Sequence, residues 1–324
     1  MRKFFVSATL SVILVLSLAF SVFAEDYKLV VAGGPQGGAW YGLAGALGKE
    51  IEAAIPGVRT SVIPGGGVGN IVLVEKGEAK LATTVSHLYN SGVKGTAPYT
   101  GLNAKHLLAL ANIGTSDTCL FLVKKNFPAN NIQEIKDKKL PIKLITTSKA
   151  STPALGTLRI LSEYGITPED IVAWGGNISY MNYADAAQLI SDGHADGIVA
   201  PVVPALVELS KTTPLKLLPL QTGVIDKLVS KYGYSKIVMK KGSYTWITKD
   251  LPVLGEPNIL LIHSSVPEDI AYKITKLICE KPELIRAWGN HHASFKAQTA
   301  SNNVGGELHP GAIKYYKEKG YLKK

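Results

Sequence analysis

Short apolar runs and longer amphipathic stretches alternate along most of the chain. YKLVVA (27–32) reads as a strand, AWYGLAGALGKEIEAAI (39–55) as a helix, VRTSVIP (58–64) as a strand, VGNIVLVEKG (68–77) as a helix and KLATTV (80–85) as a strand. That order predicts two right-handed strand-helix-strand units. A polar, glycine-rich loop to about Lys105 and a strand at HLLALANI follow, and TCLFLVKK (118–125) leads into new territory. There the alternation restarts. IKLITT, DIVAW, DGIVA and LKLLPL read as strands, with TPALGTLRILSEYG, NYADAAQLISDG and VPALVELS as helices between them.

The repetition extends to residues. VEKGEAKLATT (74–84) and ISDGHADGIVA (190–200) share an aliphatic residue, two polar residues, Gly, any residue, Ala and a polar residue that leads into a short strand. Such a glycine ends a helix with a positive φ before the chain turns into the strand. About 300 residues also exceed the size at which one core usually stops growing. Two domains on one plan are expected, each a mostly parallel sheet covered by helices, hence an α/β fold.

The first residues change the compartment. Arg2 and Lys3 precede an uncharged run from Phe4 to Phe23, and Val22-Phe23-Ala24 offers compact residues for a peptidase. Residues 1–24 therefore read as a secretory signal, with an uncleaved anchor as the alternative. No cysteine follows the run to carry a lipid. Loss of Arg2 and Lys3 takes the formal charge from +10 to +8, spread as single lysines except in KYYKEKGYLKK. This reads as a solvated basic surface, with attraction to anionic lipid or an acidic partner as the sharper alternative, and the exported compartment disfavours nucleic acid. Cys119 and Cys279 are compatible with a disulfide or with two separate buried thiols.

In parallel sheets ligands sit beyond the carboxyl ends of the strands, at the helix N-termini. The residues that follow each strand are therefore the candidate site. They include Gly37, Gly38, Trp40 and Tyr41 in GGPQGGAWYGLAG; Gly66, Gly67 and Asn70 in GGGVGN; Ser86; Ser148, Ser151 and Thr152 in SKAST; and Pro201. Glycines admit close backbone approach, hydroxyls and Asn70 give directional bonds, and helix dipoles give partial positive charge. These loops contain no Asp or Glu, and Lys149 is their one full positive charge. Neutral donors suit an anion. The first loop lacks the Gly-Lys-Ser/Thr ending of a phosphate loop and the Gly-x-Gly spacing of a dinucleotide site, which leaves small carboxylates. Trp40 or Tyr41 is expected to stack on the ligand while the other faces the core.

GGPQGGAWYGLAGALGKEI, PGVRTSVIPGGGVGNIVLVEKGEAKLA, SYMNYADAAQLISDGHADGIVA and LHPGAIKYYKEKGYL together resemble the TAXI family, the solute receptors of a TRAP-type transporter class. The resemblance implies a type II periplasmic binding protein of two lobes with the ligand cleft between them. Lobe I would be residues 25–114 plus 264–324, and lobe II residues 115–263. TCLFLVKK and EPNILLIHSS would be the paired strands near the hinge. The resemblance further implies a monomer in the periplasm that needs no cofactor, captures a small anionic solute and hands it to a TRAP-type membrane permease driven by an ion gradient. Known family ligands include acidic amino acids and 2-oxo or dicarboxylic acids. Gly67, Gly69 and His87 depart from the family's pattern by removing a hydroxyl and two carboxylates near the cleft. This favours a plain carboxylate, such as a dicarboxylate or 2-oxo acid, over an acidic amino acid of the glutamate or glutamine type.

Other chemistry finds little support. There is no Gly-x-Ser-x-Gly elbow, His-Glu-x-x-His pair or paired-cysteine metal motif, so no enzyme and no metal site is expected. Tandem His291-His292 would point apart on a helix, and His309 reads as the anchor of the C-terminal turn. Arg159 falls two turns after the SKAST loop, aimed away from the cleft. A module that reports ligand state to a membrane sensor shares the fold and remains the alternative to transport.

Overall fold

The computed structural model describes residues 26–288 and 292–322. The signal at 1–24 and His291 lie outside the described residues. The strands are β1 (Tyr27–Ala32), β2 (Val58–Ile63), β3 (Leu81–Val85), β4 (Leu107–Asp117), β5 (Leu120–Lys124), β6 (Lys143–Thr146), β7 (Asn177–Tyr180), β8 (Gly197–Ala200), β9 (Leu215–Leu217), β10 (Ser235–Met239) and β11 (Leu251–His263). They form two sheets.

In the first sheet β1 lies between β2 and β3, parallel to both, and antiparallel β11 pairs with β3, β4 and β10. In the second, β6 lies between β7 and β8, parallel to both, and antiparallel β5 joins β8 to β9. The two sheets thus repeat one plan, centred on β1 and on β6. The shared glycines serve it as expected, since Gly77 (φ 71°) and Gly193 (φ 81°) each carry a positive φ between a helix and its strand.

The helices of the first half are α1 (Ala39–Ala54), α2 (Gly67–Glu75) and α3 (Ser86–Lys94), and α4 (Ile132–Asp137), α5 (Thr152–Glu163), α6 (Pro168–Ala173), α7 (Tyr183–Ser191), α8 (Pro204–Thr212) and α9 (Thr222–Tyr232) accompany the second sheet. The chain then returns to the first sheet with α10 (Glu268–Glu280), α11 (Glu283–Arg286) and α12 (Pro310–Glu318). Each sheet is covered on two faces. Leu43, Leu47 and Ile51 of α1 pack with Ile274 and Ile278 of α10 and Tyr315 and Tyr316 of α12 on one face of the first sheet, and Ile71, Val74 and Tyr89 pack on the other. Ile160, Ile171 and Leu228 fill one core of the second sheet, and Ala186, Leu206 and Ile190 the other. Cys119 and Cys279 are free thiols buried in two different cores. Burial pushes the Cys279 thiol up to about 12.

Three expectations are corrected. DIVAW does not form a strand; Pro168–Ala173 is helical because Thr167 and Asp170 make a reciprocal capping box with Pro168 at the first helical position. The loop expected before Lys105 contains α3, whose Gly92 lets the helix lie close to Ile71 and Leu107. The partner of EPNILLIH is β4, not TCLFLVKK: Gly255 faces Asp117 and Glu256 faces Ser116, while β5 belongs to the second sheet. β11 spans both halves, with Val253 and Leu254 in the cores of the second sheet and Ile259 to Ile262 in the first.

His309 fixes the C-terminal turn. Its Nδ1 accepts from Gly311 N at 3.2 Å, capping α12, and its Nε2 donates to Val266 O at 3.0 Å. A proton on Nδ1 would turn that acceptor into a donor. Burial holds the His309 pKa below its ordinary value, against the smaller opposing effects of Val266 O and Glu268, and burial with Lys80 and His106 does the same for His263. Because both folded values are depressed, the unfolded chain takes up more protons as pH falls below about 6.5, and stability is lost there rather than above it. Thermal unfolding at pH 5.5 should come earlier than at pH 7.5. The gap should narrow in His309→Asn, whose amide caps without titrating; an unchanged gap would remove His309 from the account.

Candidate functional site

A cavity lies between the two sheets, about 600 Å³ of empty space with its mouth included. Its wall is built from helix starts. Gly38 precedes α1, Gly66 precedes α2, Ser151 precedes α5 and Val203 precedes α8, and all four line the cavity. First-turn N–H groups have no intrahelical acceptors, so converging N-termini give the cavity a field that favours negative charge. α1, α2 and α8 have no side-chain cap at all.

Of the residues expected at the site, Gly38, Trp40, Gly66, Gly67, Ser151, Thr152 and Pro201 line the cavity. Gly37, Tyr41, Asn70, Ser86 and Ser148 do not. Gly37 is an exposed turn residue with φ 79°, and Tyr41 packs its backbone against Gly33. Ser148 is exposed and turns the loop by accepting from Ser151 N at 2.9 Å. Ser86 faces a separate depression on the α3 side. Asn70 is fully buried behind the wall: its amide donates to Thr83 O at 2.7 Å and Gly33 O at 2.8 Å, and its Oδ1 accepts from Gly66 N at 3.2 Å. It ties the two first-half loops together rather than meeting a ligand. Lys149 also lies off the cavity, 5.2 Å from the Tyr180 ring.

The two halves touch at the rim. Ala150 O, from the second half, accepts Val68 N at 3.1 Å and Gly69 N at 3.0 Å, both in the first turn of α2. A carbonyl of one half thus satisfies orphan donors of the other. Gly66 is what permits it, since a Cβ there would stand 2.6 Å from Ala150 O. Behind the rim Ser151 Oγ accepts from Ala154 N at 3.3 Å and hydrogen-bonds the Thr147 hydroxyl. The hydroxyl's position is therefore set before any ligand arrives.

Two acids enter the cavity, which the loops alone did not contain. Asp117 and Glu256 come from the crossing strands β4 and β11. Asp117 Oδ2 accepts from Val202 N at 2.9 Å. Glu256 is almost wholly buried and its Oε1 lies 3.0 Å from His87 Nε2. A buried carboxylate needs such a partner, and the pair ties α3 to the crossing strand. The ring of His87 also packs against Tyr234, centroids 4.7 Å apart. His87 is thus a buried partner of Glu256. An acid inside the otherwise apolar run VLGEPNILLIH was the signal for Glu256, because burial of a carboxylate in a strand calls for a reason.

A model of the NMT1-like family matches residues 31–320. Among solved structures, MatC from Rhodopseudomonas palustris with bound malate is similar at 13% identity over 84% of this chain and 90% of that one, with a TM-score of 0.53. XAC2383 from Xanthomonas citri bound to chloride ion is similar at 9% identity over 90% of this chain and 95% of that one, with a TM-score of 0.50. At these identities the likeness is one of fold: two α/β lobes with a cleft between them.

Proposed function

We propose a function from one premise: the chain belongs to the NMT1-like family. It is an extracytoplasmic solute receptor of the TAXI type, resident in the periplasm, which captures a small carboxylate and delivers it to an ion-gradient-driven TRAP permease. The observation that carries the reading is the convergence of four helix starts on one interlobe cavity. Residues 25–114 with 264–324 act as one lobe and 115–263 as the other, with β4 and β11 as the crossing strands. The open protein takes the carboxylate on the first-lobe loops at Gly38 and Gly66. Closure brings up Ser151 and Thr152, and the Ala150 contact with α2 holds the closed shape that a permease reads. MatC, of the same fold, is a malate complex, which agrees with a carboxylate ligand.

A second reading, an acidic amino acid, is favoured by Asp117 and Glu256. The premise that the cleft has no acids held only for the loops. With two carboxylates on the crossing strands, an ammonium group has partners in the cavity while the ligand's carboxylate faces the helix starts.

A thermal-shift screen of the mature, ligand-stripped protein tests both. A ligand present at 100 times its Kd adds about 2.7 kcal/mol of native stability, a shift of several degrees. Dicarboxylates and matched 2-oxo and 2-amino acids are the probes, with sugars and cations as controls. A shift from either member of a pair supports a carboxylate receptor, and the preferred member decides between the readings. A shift confined to sugars or cations contradicts both.

A further inference from the structure

Behind the crossing strand lies a second concavity, separate from the solute cleft. About 1490 Å³ of empty space, its open mouth included, is bounded by α3 on the first half and by Arg159 and residues 230–235 on the second. Pro257 of β11 forms its floor, one residue from the Glu256 that lines the cleft. Among the described residues no Asp or Glu lines it. Its charged groups are Lys94, Arg159 and Lys231, with the His87 ring beside them.

Arg159 is the unusual member. Its residue is only 7% exposed, yet its guanidinium has no carboxylate partner among the described residues. It stacks 4.3 Å from the Tyr232 ring centroid and gives one long bond, Nη1 to Tyr234 Oη at 3.3 Å. Two neighbouring side chains are already engaged: His87 with Glu256 at 3.0 Å and Lys231 with Glu163 at 2.8 Å. A guanidinium carries five N–H donors in a planar fork, and a recessed one held by aromatic rings is prepared for bidentate contact with a carboxylate or phosphate. Ser91 lines the same space and offers a further hydroxyl donor, while the Ser230 hydroxyl already donates to Lys227 O at 3.1 Å.

We propose that this depression is a second anion site, in which Arg159 binds the oxygens of a small polyanion and Lys94 supplies the outer charge. A free small anion is the occupant, since Arg159 lies too deep for a flat protein surface to reach. The site does not depend on which solute the cleft takes.

The sequence suits a direct test, because Arg59, Arg159 and Arg286 are the three arginines after the signal. Mature protein labelled with ¹⁵N-arginine gives one Nε–H signal for each. Inorganic phosphate and citrate are titrated separately at constant ionic strength. The Arg159 signal should move saturably with at least one of them, while those of Arg59 and Arg286 stay. Lys94→Ala should raise the half-saturating concentration two- to five-fold and the control Lys273→Ala should leave it unchanged. Ser151→Ala, in the cleft, should leave it unchanged as well, which separates this site from the solute cavity. No Arg159 movement, or a common drift of all three signals, overturns the proposal. So does a half-saturation indifferent to Lys94.

Discussion

Gly66→Ala is expected to weaken solute binding by roughly 30-fold or more while the protein stays folded. Gly66 has an extended backbone, φ −178° and ψ 149°, which alanine adopts without strain. The three nearest atoms to the added methyl all belong to the other half: Ala150 O at 2.6 Å, Ala150 C at 3.1 Å and Ser151 Cα at 3.2 Å. Those are backbone atoms that cannot rotate away, so the lobes must part. Parting removes the two bonds from Val68 and Gly69 to Ala150, worth about 0.5–1.5 kcal/mol each, and overlap in a packed contact costs about 1–3 kcal/mol. Even about 2 kcal/mol is close to 30-fold in affinity. Calorimetric titration with the solute found in the screen measures the loss, and small-angle scattering should show the variant staying expanded when ligand is added. Wild-type affinity in this variant would mean that the rim contact has no part in binding.

Asn70→Ala is expected to cost stability first and binding second. One buried amide satisfies Thr83 O, Gly33 O and Gly66 N together, and truncation leaves them buried without partners at about 1–3 kcal/mol apiece. Partial relaxation brings the expected loss to about 3 kcal/mol, or roughly 6–10 °C in Tm for a chain of this size. Asn70→Asp separates the roles of the two ends: it keeps an acceptor for Gly66 N, loses both donors and buries a charge, so it should be at least as damaging as alanine. Thermal unfolding monitored by circular dichroism reads both. A pair of variants with wild-type Tm would refute the tie between the loops.

The parallel strands of both sheets, apart from β7, were legible because each is a short apolar run that an amphipathic helix precedes or follows. The shared Gly77 and Gly193 even exposed the repeat. What periodicity missed has local causes. At residues 167–173 an apolar DIVA outweighed the Thr-Pro-Glu-Asp capping signal that decides for a helix. In α3 a glycine and the polar residues Ser86, His87, Asn90 and Ser91 resembled a loop, although Gly92 is there for close packing and His87 for Glu256. The candidate site was legible where it follows from sheet topology, at Gly38, Gly66 and Ser151. Asp117 and Glu256 escaped because they sit inside crossing strands, and only the pairing of β4 with β11 brings them to the cleft. Asn70 was placed in the right loop for a different job, since nothing in GGGVGN says that its amide turns inward.

The most direct measurement is a crystal structure of the mature protein with the carboxylate that gives the largest thermal shift. The account predicts a closed protein with the ligand's carboxylate within hydrogen-bond distance of the first turns at Gly38 or Ser151, and with Asp117 and Glu256 facing the ligand's other end. Ligand bound elsewhere, or a cleft that stays open around it, would contradict the assignment of this cavity as the solute site.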